Sequence, residues 1–286
     1  MSLPFIDAAG ITSRLGGSGA VAAIEAALVA GLDPEADPPR GVVEVDGGQL
    51  LVMPSHTGGR PVVKLVTVGG EPRVQGVVVV FDPVTLAPVA LIDGIALTNV
   101  RTAAVSAVAV RRLASPDARR LLVFGRGPQA HAHVDAVSAV RPIEQVDVVG
   151  RDHAGVDVDG LVAAADVICC CTTARTPLFD GRLVADHATV VAIGSHEPDA
   201  RETDDALAGR AQIVVESRGS ALREAGDVIL AVGAGVIAAG DLMTLAALVR
   251  GEASADPTRP RLFKSTGMSW EDAVVAAAVV GAEDPP

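Results

Sequence analysis

The run from Gly125 to Ala130, Gly-Arg-Gly-Pro-Gln-Ala, has the spacing G-x-G-x-x-A and lies between an apolar stretch, Leu121 to Phe124, and a helix-like stretch from Pro128. Each small residue has a physical reason. The first glycine makes a tight turn out of a strand, the second lets backbone approach a pyrophosphate, and Ala130 keeps the helix close to the strand. Phosphate oxygens would then meet amide groups at the helix N-terminus. An ordinary strand-turn-helix connection is the alternative, and the strand before and helix after favour the dinucleotide cradle. A second apolar run ends Val149-Gly150-Arg151-Asp152. At such a strand end an acid holds the ribose hydroxyls, whereas an arginine accommodates a 2′-phosphate. Arg151 favours NADPH, and Asp152 keeps NADH open.

Other reactive side chains read more plainly. Cys169, Cys170 and Cys171 adjoin on one strand pattern, where neighbours point to opposite faces, so they are strand filler and not a metal site. His131 and His133 lie about 200° apart around a helix and share no face for a metal. No metal is expected. His56, in a turn after Met53-Pro54-Ser55, fits a site or a surface equally.

The elements that must position these groups fall into two rhythms. First come a helix over residues 18–32, a Pro-rich loop, and strand-like runs at 42–46, 49–55, 61–68 and 74–82, separated by Gly-rich turns that suit antiparallel pairing. A further strand at 86–94 and a long helix at 97–114 close this part. From Arg119 the order becomes strand, Gly turn, helix, with strands at 119–127, 145–152, 166–172, 189–194, 212–217 and 260–265, which implies a parallel sheet. Ser269 with Asp272 three residues on resembles a capping box opening a last helix. Too few residues separate Arg151 from the strand at Asp166 for the helix, strand and second helix of a full mononucleotide-binding half. The helix after the second strand is therefore expected to be absent. Residues 156–160 (VDVDG) would remain as a vestigial strand and 161–165 as a single helical turn, leaving the adenosine wall open.

The chain has 286 residues and a formal net charge of −12, with nearly half its residues apolar and no Tyr. Length suggests two domains of ~100–200 residues each. The charge argues against nucleic acid or an anionic membrane as partner, both of which need clustered Lys and Arg. The opening MSLPFIDAAG lacks a basic segment followed by an apolar core, and the apolar runs are shorter than the ~20 residues that cross a bilayer. A cytoplasmic location and a small-molecule partner are expected.

Several segments in order carry a wider likeness: residues 53–68 (MPSHTGGRPVVKLVTV), RTAA from Arg101, the GxGxQA loop, EAGD from Glu224 and KSTG from Lys264. Together they resemble the ornithine cyclodeaminase and mu-crystallin family over nearly the whole chain. The resemblance implies an α/β fold in which a Rossmann-type parallel-sheet domain, here shortened, is inserted into an α+β substrate and dimerisation domain. The boundaries become 1–115 plus 264–286 for the outer domain and 116–263 for the inserted one. It implies a homodimer, a cofactor NADP or NAD, and chemistry in which hydride passes between nicotinamide and the carbon of an amine or imine.

The resemblance also assigns residues. Lys64 matches the family's active-site lysine, and Arg40 and Arg101 match its carboxylate-binding arginines. Guanidinium forms a bidentate clamp on carboxylate, and a partly desolvated Lys serves as acid or base near neutral pH. A charged Lys within the apolar pattern Val62-Val63-Lys64-Leu65 is costly without a partner, which favours function over a surface role. Gln75 and Thr98 are placed in the same pocket, and Pro128, Gln129 and Thr172 join Gly125, Gly127, Ala130 and Arg151 as cofactor contacts. His133 matches a family histidine with a packing role. His196 stands where ornithine cyclodeaminases have an aspartate that acts on the substrate's distal amine. Imidazole anchors ammonium poorly but exchanges protons with a neutral nitrogen. The expected activity is thus NAD(P)H-dependent reduction of a small cyclic imino acid or ketimine, or the reverse dehydrogenation, with Lys64 and His196 catalytic. The alternatives are ornithine cyclodeamination and a non-catalytic ligand-binding role.

Overall fold

The computed structural model describes residues 3–57 and 59–282. They form β1 (Phe5–Ile6), α1 (Ala8–Arg14), α2 (Gly16–Val29), β2 (Gly41–Val45), β3 (Gly48–Ser55), β4 (Val62–Gly69), β5 (Val74–Phe81), β6 (Pro88–Asp93) and α3 (Gly94–Leu113). There follow β7 (Arg120–Phe124), α4 (Pro128–Ser138), β8 (Gln145–Val149), α5 (Val158–Ala164), β9 (Val167–Cys170), β10 (Thr189–Ala192), α6 (Asp205–Arg210) and β11 (Gln212–Val215). The chain ends with α7 (Arg218–Glu224), α8 (Gly226–Gly233), β12 (Met243–Thr244), α9 (Leu245–Val249), β13 (Arg261–Lys264) and α10 (Ser269–Gly281). Two compact units result, residues 1–105 with 268–286 and residues 106–267, so α3 crosses the division.

In the first unit, β2 to β5 form the expected antiparallel succession, β6 extends it antiparallel to β5, and the short β1 adds to β6 in parallel. Alternation along β4 buries Val62, Lys64 and Val66 on one face. On that face the register sets Lys64 opposite Met53 of β3 and Val78 of β5, both buried. Helices α2 and α10 pack together, and α10 also lies against β3, β4 and β5. Helix α2 offers the apolar stripe Ala20, Val21, Ile24 and Leu28, the 3.6-residue period of a helix with one buried side.

The start of α10 differs from the expected box. Its N-cap is Met268, whose N–H reaches Glu271 Oε1 at 3.3 Å, and Trp270 N–H donates to Asp37 Oδ2 at 2.8 Å. Asp272 does not cap. Two buried cations hold its carboxylate, an attraction that outweighs one local amide.

The second unit is a seven-stranded parallel sheet in the order β12-β11-β13-β10-β9-β7-β8, a Rossmann-like arrangement. β13 ends at Lys264, in the middle of this sheet. Its core runs through Leu122, Phe124, Ile168, Val190, Ile213 and Leu262. No regular helix occupies residues 150–157, so α5 follows β8 after one loop. Residues 156–160 are not the expected vestigial strand. Asp157 accepts from Gly160 N at 3.0 Å and starts α5, which is seven residues long rather than a single turn. A side-chain cap at its first position makes helix the cheaper local structure.

Gly125 has φ +115°, its N–H donates to Val149 O at 2.8 Å, and a Cβ there would overlap the carbonyl oxygen of Cys171. Gly125→Ala should therefore lower stability by about 1–3 kcal/mol. Urea unfolding reads this as a lower midpoint, and an unchanged midpoint would show that the turn tolerates a side chain.

Candidate functional site

In the first unit Lys64 stands on an apolar sheet face and is 2% exposed, so its ammonium needs a partner. Asp272 provides it. Its Oδ2 lies 2.7 Å from Lys64 Nζ, and Oδ1 accepts from Arg101 Nε at 3.2 Å. The Lys64 contact is within ion-pair reach but off the angle of a good hydrogen bond. Arg101 Nη1 donates to Glu271 Oε2 at 2.6 Å, so adjacent residues in the first turn of α10 share one guanidinium. Lys64 Nζ also approaches Thr98 Oγ1 at 3.4 Å, and that hydroxyl donates to Gly94 O at 2.6 Å.

Burial pushes the Lys64 ammonium down to about 8 from its ordinary 10.5. The Arg101 charge acts in the same direction, Asp272 opposes both, and Arg40 adds a smaller repulsion. Lys64 is thereby poised to give or take a proton near neutral pH. Asp37 is pushed up to about 6 by burial, with Asp272 adding to the rise and hydrogen bonds from Ser55 and Trp270 opposing it. Asp37 therefore ties the Pro-rich loop to the helix that carries Asp272.

The structure thus brings Lys64, Arg101 and Thr98 together and sets Arg40, half-buried, within electrostatic range. Gln75 is not gathered with them. Its β5 position pairs with Thr67, on the face opposite Lys64, and its amide donates to Pro72 O at 3.3 Å.

In the second unit the glycine loop suits a phosphate. Gly127 is the N-cap of α4 with no side-chain cap, Pro128 fills the first helical position, and a Cβ on Gly127 would meet nothing within 4 Å. Ala130, in the first turn of α4, is buried. His133 packs, as expected: Nδ1 donates to Gln129 O at 2.7 Å, so Nε2 accepts from Ser106 Oγ at 2.9 Å. Burial holds this imidazole down to about 4, hence neutral. Arg151 lies exposed in the bend after β8.

Thr172 is committed to the protein. Its N–H (2.9 Å) and hydroxyl (2.7 Å) both donate to Glu202 Oε1, while Gly194 N–H reaches Oε2 at 2.7 Å. Burial pushes Glu202 up to about 7. Beside it Lys264 Nζ lies 3.1 Å from Asp227 Oδ2 and donates to Ser195 O at 2.8 Å. Together these groups brace the turns after β9 and β10, the second of which carries the half-buried His196.

The sequence reading missed Asp272 as an ion-pair partner, gave no site role to Asp37, Glu271 or Glu202, and used Asp227 and Lys264 only as members of the EAGD and KSTG motifs. One signal was available. Lys264 directly follows the apolar pair Leu262-Phe263 at the end of its strand, and a buried ammonium there demands an acid. Cys169 and Cys170 are buried in β9, with Cys169 pushed up to about 12 by burial. Among the described residues no group of three or more His, Cys, Asp or Glu is placed to hold a metal, and no helix is long and apolar enough to cross a membrane.

The sequence profile of the ornithine cyclodeaminase/mu-crystallin family matches residues 9–158 and 153–282, two stretches that join in the loop between β8 and α5. A Delta(1)-pyrroline-2-carboxylate reductase of Colwellia psychrerythraea is 34% identical over 214 residues, covering 65% of this chain and 66% of that protein. The ketimine reductase mu-crystallin of Mus musculus is 34% identical over 198 residues, 64% of this chain and 61% of that one. The matches thus span slightly less than two thirds of these relatives. The structure of Thermococcus litoralis Delta(1)-pyrroline-2-carboxylate reductase in complex with NADH and L-proline superposes with a TM-score of 0.90 at 27% identity, covering 97% of this chain and 96% of that one.

The Lys64 environment has a consequence for stability. Between pH 8 and 10.5 the unfolded chain keeps a lysine proton that the native chain has released, so unfolding takes up a proton and stability rises with pH. Native protein should gain stability through that window relative to Lys64→Met. Urea midpoints measured across it test this, and parallel curves for the two proteins would refute it.

Proposed function

The chain belongs to the ornithine cyclodeaminase/mu-crystallin family, and on that premise we propose that it is a nicotinamide-dependent reductase of small cyclic imino acids. The observation that carries this reading is the buried Lys64, paired with Asp272 and depressed to about 8. Reducing a C=N bond adds hydride to carbon and a proton to nitrogen. A bound nicotinamide dinucleotide supplies the hydride. Lys64 gives the proton from Nζ, Asp272 keeps enough charge on that nitrogen for it to hold one near neutral pH, and Thr98 fixes its direction. Arg40 and Arg101 hold the substrate carboxylate, with Arg101 oriented by its two acidic partners. The cradle of Gly125, Gly127, Pro128, Gln129 and Ala130 fits a pyrophosphate, since its second glycine faces open space. Arg151 favours NADPH over NADH.

His196 favours imine reduction over cyclodeamination of a diamino acid, because imidazole is a weak anchor for an ammonium group. The chain's assembly as a homodimer belongs to the same reading. It is supported by the uncovered strand β2, where Val42, Val43 and Val45 are about half exposed.

Pyrroline-2-carboxylate and piperideine-2-carboxylate with NADPH or NADH should be reduced, with kcat falling as pH rises through about 8 because the proton donor is lost. Lys64→Met should lower kcat on the order of 10²- to 10⁴-fold and abolish that limb. Full turnover by Lys64→Met on a good substrate would refute the role of Lys64. Conversion of ornithine to proline and ammonia without net change in NADH would establish cyclodeamination instead.

A further inference from the structure

The parallel sheet ends at β8, and among the described residues no strand lies beyond it to wall the region at its carboxyl end. Only the loop from Gly150 to Asp157 separates β8 from α5. Against this open end lies a side chain from the glycine loop itself. Arg126, between Gly125 and Gly127, folds over Gly150, where a Cβ would stand 2.8 Å from Arg126 Nε, 2.9 Å from Cδ and 3.2 Å from Cζ. A side chain at position 150 would push the end of Arg126 aside. Arg151 follows Gly150 and is exposed, and the His153 ring lies 3.1 Å from Gly150 O. The acids nearby are Asp152, exposed, and Asp157, whose Oδ1 caps α5. Two guanidiniums, Arg126 and Arg151, thus flank the end of β8 in a chain of net charge −12.

We propose that Arg126, together with Arg151, binds the 2′-phosphate of an NADP-type cofactor and is the principal determinant of its selectivity. The inference rests on the dinucleotide reading above. Guanidinium matches phosphate with two parallel N–H···O bonds, and its flat face also stacks on an aromatic base. Packing on Gly150 stations the Arg126 side chain before the ligand arrives, which lowers the ordering cost of binding. A loop arginine thus takes over recognition on the side where the sheet stops at β8.

Fluorescence titration of the full-length protein with NADPH and NADH tests this on binding alone. Wild type should bind NADPH more tightly than NADH. Arg126→Ala should lose NADPH affinity on the order of 10- to 100-fold while NADH affinity changes by less than about threefold. Gly150→Ala keeps every charge and shifts the end of the arginine, so it should show a smaller loss of the same selectivity, with thermal unfolding confirming that both variants are folded. Equal effects on the two dinucleotides, no effect on either, or a wild type that does not prefer NADPH would overturn the role of Arg126 and leave the dinucleotide reading intact. Binding of neither dinucleotide at millimolar levels would overturn that reading, and this assignment with it.

Discussion

Asp272 sets one oxygen 2.7 Å from Lys64 Nζ and the other 3.2 Å from Arg101 Nε, and all three side chains are almost wholly buried. Two buried cations, Lys64 from β4 and Arg101 from α3, would repel each other and lose their hydration, and neither is tolerable without a shared anion. Much of the first unit follows from that constraint. Helix α10 must lie across β3, β4 and β5 with its first turn at Lys64. Asp37 must reach Trp270 N to fix that turn, and Glu271 takes the rest of the Arg101 charge. The same constraint produces reactivity, because an ammonium that is desolvated, repelled and then partly compensated releases its proton near neutral pH.

The second unit solves the same problem differently. Lys264 is also a buried strand lysine, at the end of β13, but its ammonium bonds a backbone carbonyl, Ser195 O, as well as Asp227. Glu202 next to it accepts from Thr172 and Gly194. These bonds fix the backbone of two turns at the carboxyl ends of the strands, where parallel sheets bind ligands. The chain has two lysines in all, Lys64 and Lys264, and both are buried in such clusters, leaving its surface cations to arginine.

The strands, the long helix α3 and the glycine loop were legible because each is written in local period and turn chemistry. Lys64 stood out because its charge breaks an apolar pattern. Its partner did not, since Asp272 lies 208 positions further on and looks locally like a helix cap. Asp37 was lost in a Pro-rich loop for the same reason, its bond to Trp270 spanning 233 positions. The VDVDG alternation suggested a strand, yet β7 already pairs with β8 and β9, and the Asp157 cap turned the segment into a helix start. Gln75 carried the family pattern, whereas strand parity puts it on the far face from Lys64.

The proton affinity of Lys64 is the quantity on which the chemistry turns, and it can be read directly. With lysine labelled by ¹³C at Cε, the protein gives two such signals, from Lys64 and Lys264, and Lys64→Arg identifies the first. Followed by NMR against pH, the Lys64 signal should titrate with a midpoint near 8. A midpoint at or above the ordinary 10.5 would mean that Lys64 is a plain structural cation, and would contradict its role as the proton donor.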